Sequence, residues 1–362
     1  LTAPLGGPGQ QSKEDILMAR EVFDTDGHIF ERDEIMFEYL EPPYRGRKEV
    51  LLYPFFPPPD GFHRMARRIV DKRPYVVGED DPKTWAEVLD REGIDRTVIY
   101  PTAALGVGYI QDPEWAVVAC RAYNDMMADR YIKFDRRLGA VAVLPIQDIE
   151  ESAKELRRAV KDLHMAGGVL APAGFPKPLG DVYFDPLYRE AEKLGCPLAI
   201  HGAPSKGLGF DFFQSLIEAR TLSHPFLQMI QLTSIVLEGV LERFPKLTLA
   251  ALEAGCQWIP FLMDRMDMEF GHRSPQAPLL KKKPSEYMTD GRIYYHAELW
   301  EAMLPYVITR IGEDLIIYAS DYPHEPDLSE VIRKFENRDD LSDSAKSKIL
   351  SGNGKRFYNM EA

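Results

Sequence analysis

Eight short apolar runs recur along the chain, each nearly continuous until a polar residue, a glycine or a proline appears towards its C-terminal end. They are EVFDTDGHI (21–29), TVIYPTA (97–103), LGAVAVLP (138–145), GGVLAPA (167–173), PLAIHGAP (197–204), LTLAALEAG (247–255), RIYYHAEL (292–299) and LIIYASDYP (315–323). Near-continuous apolar character predicts strands buried on both faces, as in a parallel sheet, because a strand with one wet face alternates. Helical patterns separate the runs. DPKTWAEVLDREG (81–93) opens on an Asp N-cap and closes on Gly. DPEWAVVACRAYNDMMADRYIKF (112–134) repeats apolar residues at helical spacing. DIEESAKELRRAVKDLHMAG (148–167) carries acids first and bases later, which suits the helix dipole. Eight such βα units predict an α/β chain of the (β/α)8 TIM barrel type. An open doubly wound sheet has the same rhythm, but no GxGxxG follows the first run to argue for a dinucleotide fold.

The rhythm breaks in three places. Residues 1–20 open with the Gly/Pro/Gln-rich LTAPLGGPGQQSKED, without the basic and apolar regions of a signal peptide, and are expected to form a flexible arm. The barrel domain then spans 21–362. Residues 41–80, after the first strand, contain EPPYRGRK and PFFPPPDG, whose prolines exclude a regular helix or central strand. Residues 271–291, with SPQAPLLKKKPSE, form a second excursion. Long loops of this kind are lids, substrate walls or surface decoration.

Composition narrows the function. Lys+Arg number 44 against 57 Asp+Glu, a formal charge of −13 over 362 residues, and no basic tract reverses that balance, which argues against nucleic acid. No run approaches the ~18 apolar residues of a membrane span. Cys120, Cys196 and Cys256 are far apart and lack CxxC spacing, so a reducing, cytoplasmic setting is expected without a disulfide framework.

In a barrel, chemistry gathers at the C-terminal strand ends. The first run ends in Asp24, Asp26 and His28, which strand alternation puts on one face. The fifth ends in His201, the sixth in Glu253, the seventh in His296 and Glu298, and the eighth in Asp321, with His324 three residues on. Histidines and carboxylates converging on one mouth suit a borderline divalent ion such as zinc. An open coordination position would lower the pKa of bound water towards ~7, and a neighbouring carboxylate would take the remaining proton. Each residue alone has a plainer reading, as a hydrogen-bonding histidine or a helix-capping acid. Four on separate strands favour a counter-ion, because burying several charges without one is costly.

The same residues carry a resemblance. DTDGHIFE (24–31), AIHGAP (199–204), HPFLQM (224–229), LERFPKL (241–247), LEAGCQWIPFLMDRMD (252–267) and ASDYPH (319–324), in this order, resemble the amidohydrolase-related branch of the amidohydrolase superfamily. That branch includes aminocarboxymuconate-semialdehyde decarboxylases, resorcylate-type decarboxylases and meta-cleavage-product hydrolases. The resemblance implies a (β/α)8 barrel with one divalent metal, zinc or sometimes manganese, held by Asp26, His28, His201 and Asp321. Asp321 would double as proton acceptor. It also implies a homodimer or higher homo-oligomer. No lysine ends the fourth run, so the carbamylated bridge of two-metal relatives is not expected. Asp26 stands where His is commoner, which favours harder ions. Glu253 stands where many decarboxylases of this family carry a catalytic His.

That replacement makes metal-dependent hydrolysis of a small aromatic or unsaturated carboxylate-bearing compound the leading expectation. Asp321 would deprotonate the water, Glu253 would orient it, and His324 would support Asp321 or bind substrate. The alternative is non-oxidative decarboxylation of an aromatic or enol acid. A pairing of Glu253 with Arg265 on the following helix is a structural option, and His224, before Pro225 at an apparent helix junction, belongs to the pocket or caps. Arg45 and Arg47 are candidate carboxylate clamps, with Phe55, Phe56 and Phe62 as an aromatic wall or an anchor.

Overall fold

The computed structural model describes residues 20–59, 81–171, 173–203, 205–325 and 327–360. The N-terminal arm up to residue 19, Phe62 and residues 60–80 of the first insertion lie outside the described residues.

All eight apolar runs are strands. In chain order they are β1 (Phe23–Ile29), β2 (Arg96–Pro101), β3 (Leu138–Val143), β4 (Gly167–Leu170), β5 (Leu198–His201), β6 (Leu249–Leu252), β7 (Ile293–His296) and β8 (Ile316–Ile317). Every neighbouring pair from β1–β2 to β7–β8 is parallel. Backbone bonds from Thr25 N to Tyr318 O (3.1 Å), from Asp321 N to Asp26 O (2.9 Å) and from His28 N to Tyr322 O (2.6 Å) link the last strand's end to the first, giving a (β/α)8 barrel. The principal helices are α1 (Pro82–Glu92), α2 (Pro113–Met127), α3 (Ile149–Lys161), α4 (Asp185–Leu194), α5 (Leu216–Leu237), α6 (Ile259–Arg273), α7 (Leu304–Ile311) and α8 (Leu328–Glu336). Asp81 caps α1, Asp112 caps α2 and Asp148 caps α3, each accepting bonds from the first-turn N–H groups. Among the described residues no helix is long and apolar enough to cross a membrane.

The strands are buried throughout except at Arg96, which explains their apolar sequences: helices cover one face and the barrel interior the other. β1 departs from strict alternation. Its register on β2 slips between Asp24 and Gly27, so Asp24 does not join the other two side chains. Gly27 is required here, because a Cβ would come 2.4 Å from the Trp85 ring of α1. Trp85 packs under the strand and donates from Nε1 to the His28 carbonyl, 3.1 Å.

The two excursions lie at opposite ends of the barrel. The first follows β1 and therefore belongs to the mouth side; Phe55 and Phe56 within it are buried, and Phe55 packs on Trp115 at 5.3 Å. These rings anchor the loop. Arg45 is exposed and bonds the Leu40 carbonyl, and Arg47 is exposed, so neither stands as a clamp. The second excursion connects α6 to β7, a helix-to-strand link that lies at the end opposite the mouth, and it is built as a short helix, Pro284–Met288. A lid role for 271–291 is thereby corrected. Helix α5 also runs unbroken through Pro225, so His224 sits inside a helix and not at a junction.

Candidate metal centre

Asp26, His28 and His201 offer ligand atoms within 4.8 Å of one another, and His28, Asp321 and His324 form a second such group. The four residues expected as ligands thus meet at the mouth, with Asp321 joined through His28. His28 Nδ1 is 3.0 Å from the Pro101 carbonyl, which can only accept, so the proton is on Nδ1 and the Nε2 lone pair turns inward. Nε2 lies 3.4 Å from Asp26 Oδ1 and 3.5 Å from Asp321 Oδ1. Burial, with His324 and His201 nearby, pushes the His28 pKa well down and keeps the ring neutral.

His201 is built the same way. Its Nδ1 donates to the Gly202 carbonyl at 2.6 Å, and its Nε2 sits 2.9 Å from Asp26 Oδ2. That second bond needs a further proton, shared between the ring and the carboxyl. Burial works against it, but the Asp26 carboxylate prevails and raises His201 to about 9. Burial in turn pushes Asp26 up to about 7 against the pull of His201. Meanwhile Asp26 Oδ1 and His28 Nε2 are buried with no hydrogen-bond partner. Buried polar atoms are almost always bonded, so two orphans facing each other mark a place for a cation. A metal at this point satisfies both and replaces the shared proton, so the donor set of two imidazoles and two carboxylates fits one divalent ion.

Asp24 does something else. Its carboxylate accepts from Thr97 Oγ1 (2.6 Å), Ser320 N and Oγ (both 2.8 Å) and Asp26 N (3.1 Å), clasping β1, β2 and the segment after β8.

Asp321 and Glu253 both hold left-handed backbone, with φ of 52° and 51°, a conformation that costs a non-glycine residue of order 1 kcal/mol or more and gathers at functional sites. Asp321 Oδ1 meets His324 Nδ1 at 2.6 Å, and His324 Nε2 meets Thr102 Oγ1 at 3.1 Å. Thr102 is pinned in turn by Glu31, which accepts its N–H and those of Ala103 and Ala104. Burial pushes Asp321 up, yet His324 and His28 bring it below the usual range, and Asp321 raises His324. His324 is therefore a partner of Asp321.

Arg220, from α5, is absent from the sequence reading. Its guanidinium bridges Glu253 Oε1 (2.9 Å) and Asp321 Oδ2 (3.0 Å). Arg265 pairs with Glu269 on its own helix, which corrects the Glu253–Arg265 option. Burial raises the Glu253 pKa, but His224, Arg220 and His201 outweigh it and hold the carboxyl well below its ordinary value. The signal for Arg220 was its spacing from His224: four residues apart, they share a helix face. Glu298 lines the same cleft, pushed up to about 8 by burial and by Asp321, while His296 is buried at the end of β7.

Comparison with known proteins agrees with the geometry. The 2-amino-3-carboxymuconate-6-semialdehyde decarboxylase of Dictyostelium discoideum is 26% identical over 285 residues, 78% of this chain and 77% of that one. The gamma-resorcylate decarboxylase of Rhizobium sp. (strain MTP-10005) is 25% identical over 324 residues, 84% of this chain and 93% of the relative. The dihydroxybenzoic acid decarboxylase of Polaromonas sp. JS666, solved with bound manganese and the inhibitor 2-nitroresorcinol, superposes with a TM-score of 0.71 at 19% identity, covering 95% and 98% of the two chains. The amidohydrolase family model matches residues 24–360, and with the strand-end ligand groups inside that span the chain belongs to the amidohydrolase family as one of its enzymes.

Proposed function

We propose that this enzyme is a metal-dependent, non-oxidative decarboxylase of a small aromatic or enol acid, with Asp26, His28, His201 and Asp321 as the ligands of a single divalent ion. The observation that carries the reading is the pair of orphaned buried ligand atoms, Asp26 Oδ1 and His28 Nε2, at the barrel mouth. The decarboxylases similar along most of the chain support this reaction over hydrolysis, which was the leading expectation and which draws no support from them. Manganese accompanies the Polaromonas enzyme, and a set with two carboxylates suits it as well as zinc.

When bound, the ion supplies Lewis acidity to the substrate's carboxylate and neighbouring oxygen. The side chains do the rest. The carbonyls of Pro101 and Gly202 fix the tautomers and aim of His28 and His201. His324 and Arg220 hold Asp321 ionised and oriented. Arg220 also offsets Glu253, so that an anionic substrate does not meet uncompensated carboxylates.

The test is carbon dioxide release from 2,6-dihydroxybenzoate, 5-carboxyvanillate and 2-amino-3-carboxymuconate semialdehyde. Release should cease after exhaustive chelation and return with manganese or zinc. Activity surviving complete metal removal, or oxygen from labelled water appearing in the phenolic product, would overturn the reading.

A further inference from the structure

The end of β6 carries no histidine, and a histidine from another element stands at its side. His224 lies on α5 four residues after Arg220, and both line one cleft with Glu253 and Glu298. Its ring is 4% exposed. Nδ1 is 3.1 Å from Ser223 Oγ, while Nε2 is buried without a hydrogen-bond partner, 3.4 Å from Glu253 Oε1 and so at the long edge of bonding reach. Gly202, directly after His201, makes the approach possible. A Cβ there would come 2.6 Å from His224 Cδ2 and 2.6 Å from the Glu253 carbonyl.

Three of the other imidazoles at the mouth are committed. His28 and His201 each spend Nδ1 on a backbone carbonyl and turn Nε2 towards the ligand cluster. His324 is bonded through both nitrogens. His296 has both nitrogens buried without a hydrogen-bond partner, but it is not among the residues that line the cleft. Glu253 is itself engaged by Arg220. Among the described residues His224 is the imidazole that lines the cleft, with Nε2 turned towards Glu253 Oε1 at 3.4 Å.

We propose that His224 is the general acid of the reaction, passing the proton on Nε2 to the carbon that loses its carboxyl group, with Glu253 as the positioning residue that aims the ring. The proposal rests on the decarboxylase reading. The bond between that carbon and the carboxylate breaks, its electron pair stays on the carbon, and carbon dioxide leaves. The Nε2–H bond of the doubly protonated ring breaks as the C–H bond forms, leaving neutral imidazole, which recovers its proton from water. Nothing is oxidised or reduced.

The experiment uses the full chain loaded with manganese, with 2,6-dihydroxybenzoate as probe. It measures kcat, KM, metal content and the exchange of resorcinol ring hydrogens with deuterium oxide. His224→Gln is expected to keep its metal, change KM by less than about 3-fold, and lose kcat and exchange together by about 10²–10⁴-fold. Glu253→Gln should lower both rates by about 10-fold at unchanged KM. Added imidazole should restore part of the activity of His224→Gly, which a purely structural histidine would not allow. Wild-type kcat and exchange in His224→Gln, or a loss that only tracks lost metal, overturns the proposal alone. A wild type that decarboxylates neither this probe nor the other two acids overturns the underlying reading, and the proposal falls with it.

Discussion

Asp24 and Asp26 stand two residues apart on β1, both fully buried, yet their surroundings assign them opposite tasks. Asp24 has its oxygens filled by donors of its own fold, Thr97, Ser320 and the Asp26 amide. Asp26 has one oxygen on His201 and the other on nothing. A buried carboxylate satisfied by neutral donors knits strands together; one left unsatisfied is stable only with a cation to come. The same contrast separates the two arginines near the sixth strand. Arg265 pairs with Glu269 along an exposed helix face, whereas Arg220 reaches across the mouth to two carboxylates from different strands.

The sharpest way to break the first contrast is to neutralise each aspartate in turn. Asp26→Asn should lose most of its metal and lower kcat on the order of 10³-fold, with little change in unfolding by urea. Asp24→Asn should do the reverse, destabilising the fold by about 2–4 kcal/mol while the folded fraction keeps its metal, because the new amide presents donors to donors. Equal metal loss in both variants would dissolve the distinction. The arginines should differ less. Arg220→Met is expected to lower activity about 10–100-fold through its bond to Asp321, and Arg265→Met to leave both activity and stability within about 0.5 kcal/mol of the original. The smallest effect belongs to an ion pair far from the mouth. Arg157 bonds both oxygens of Glu190 between α3 and α4 and lowers the Glu190 pKa below its ordinary 4.5. A depressed carboxylate contributes stability above its unfolded pKa and loses it as pH falls through the folded one. Wild type should therefore exceed Glu190→Gln in stability at neutral pH, and the difference should vanish on acidification below that value, as paired urea titrations across pH would record.

Much of this was readable from the chain. Asp26, His28, His201 and Asp321 stand out because parallel strands are apolar until their ends, so a polar residue there has few plain reasons to exist. Arg220 and His224 were harder to read because they lie on α5, where polar residues are ordinary, and only their four-residue spacing hinted at a shared target. Asp24 was read as one of three equivalent side chains because the bulge that turns it away from Asp26 depends on pairing with β2, which a single strand's sequence does not reveal. The second excursion was read as a potential wall of the site because loop composition carries no sign of which barrel end it faces.

The sequence by itself determined the eight strands, their burial and which histidines and carboxylates stand at the strand ends, since these follow from local periodicity and from what a doubly covered strand tolerates. Tertiary structure alone decided the rest. Barrel closure brings Asp26 within 2.9 Å of His201, 175 residues later, and Arg220 within 3.0 Å of Asp321, 101 residues later. It also decides which carboxylate is satisfied and which is left with an oxygen unbonded. Those outcomes depend on distances through space between residues remote in the chain, and hydrogen-bond satisfaction is a property of such distances.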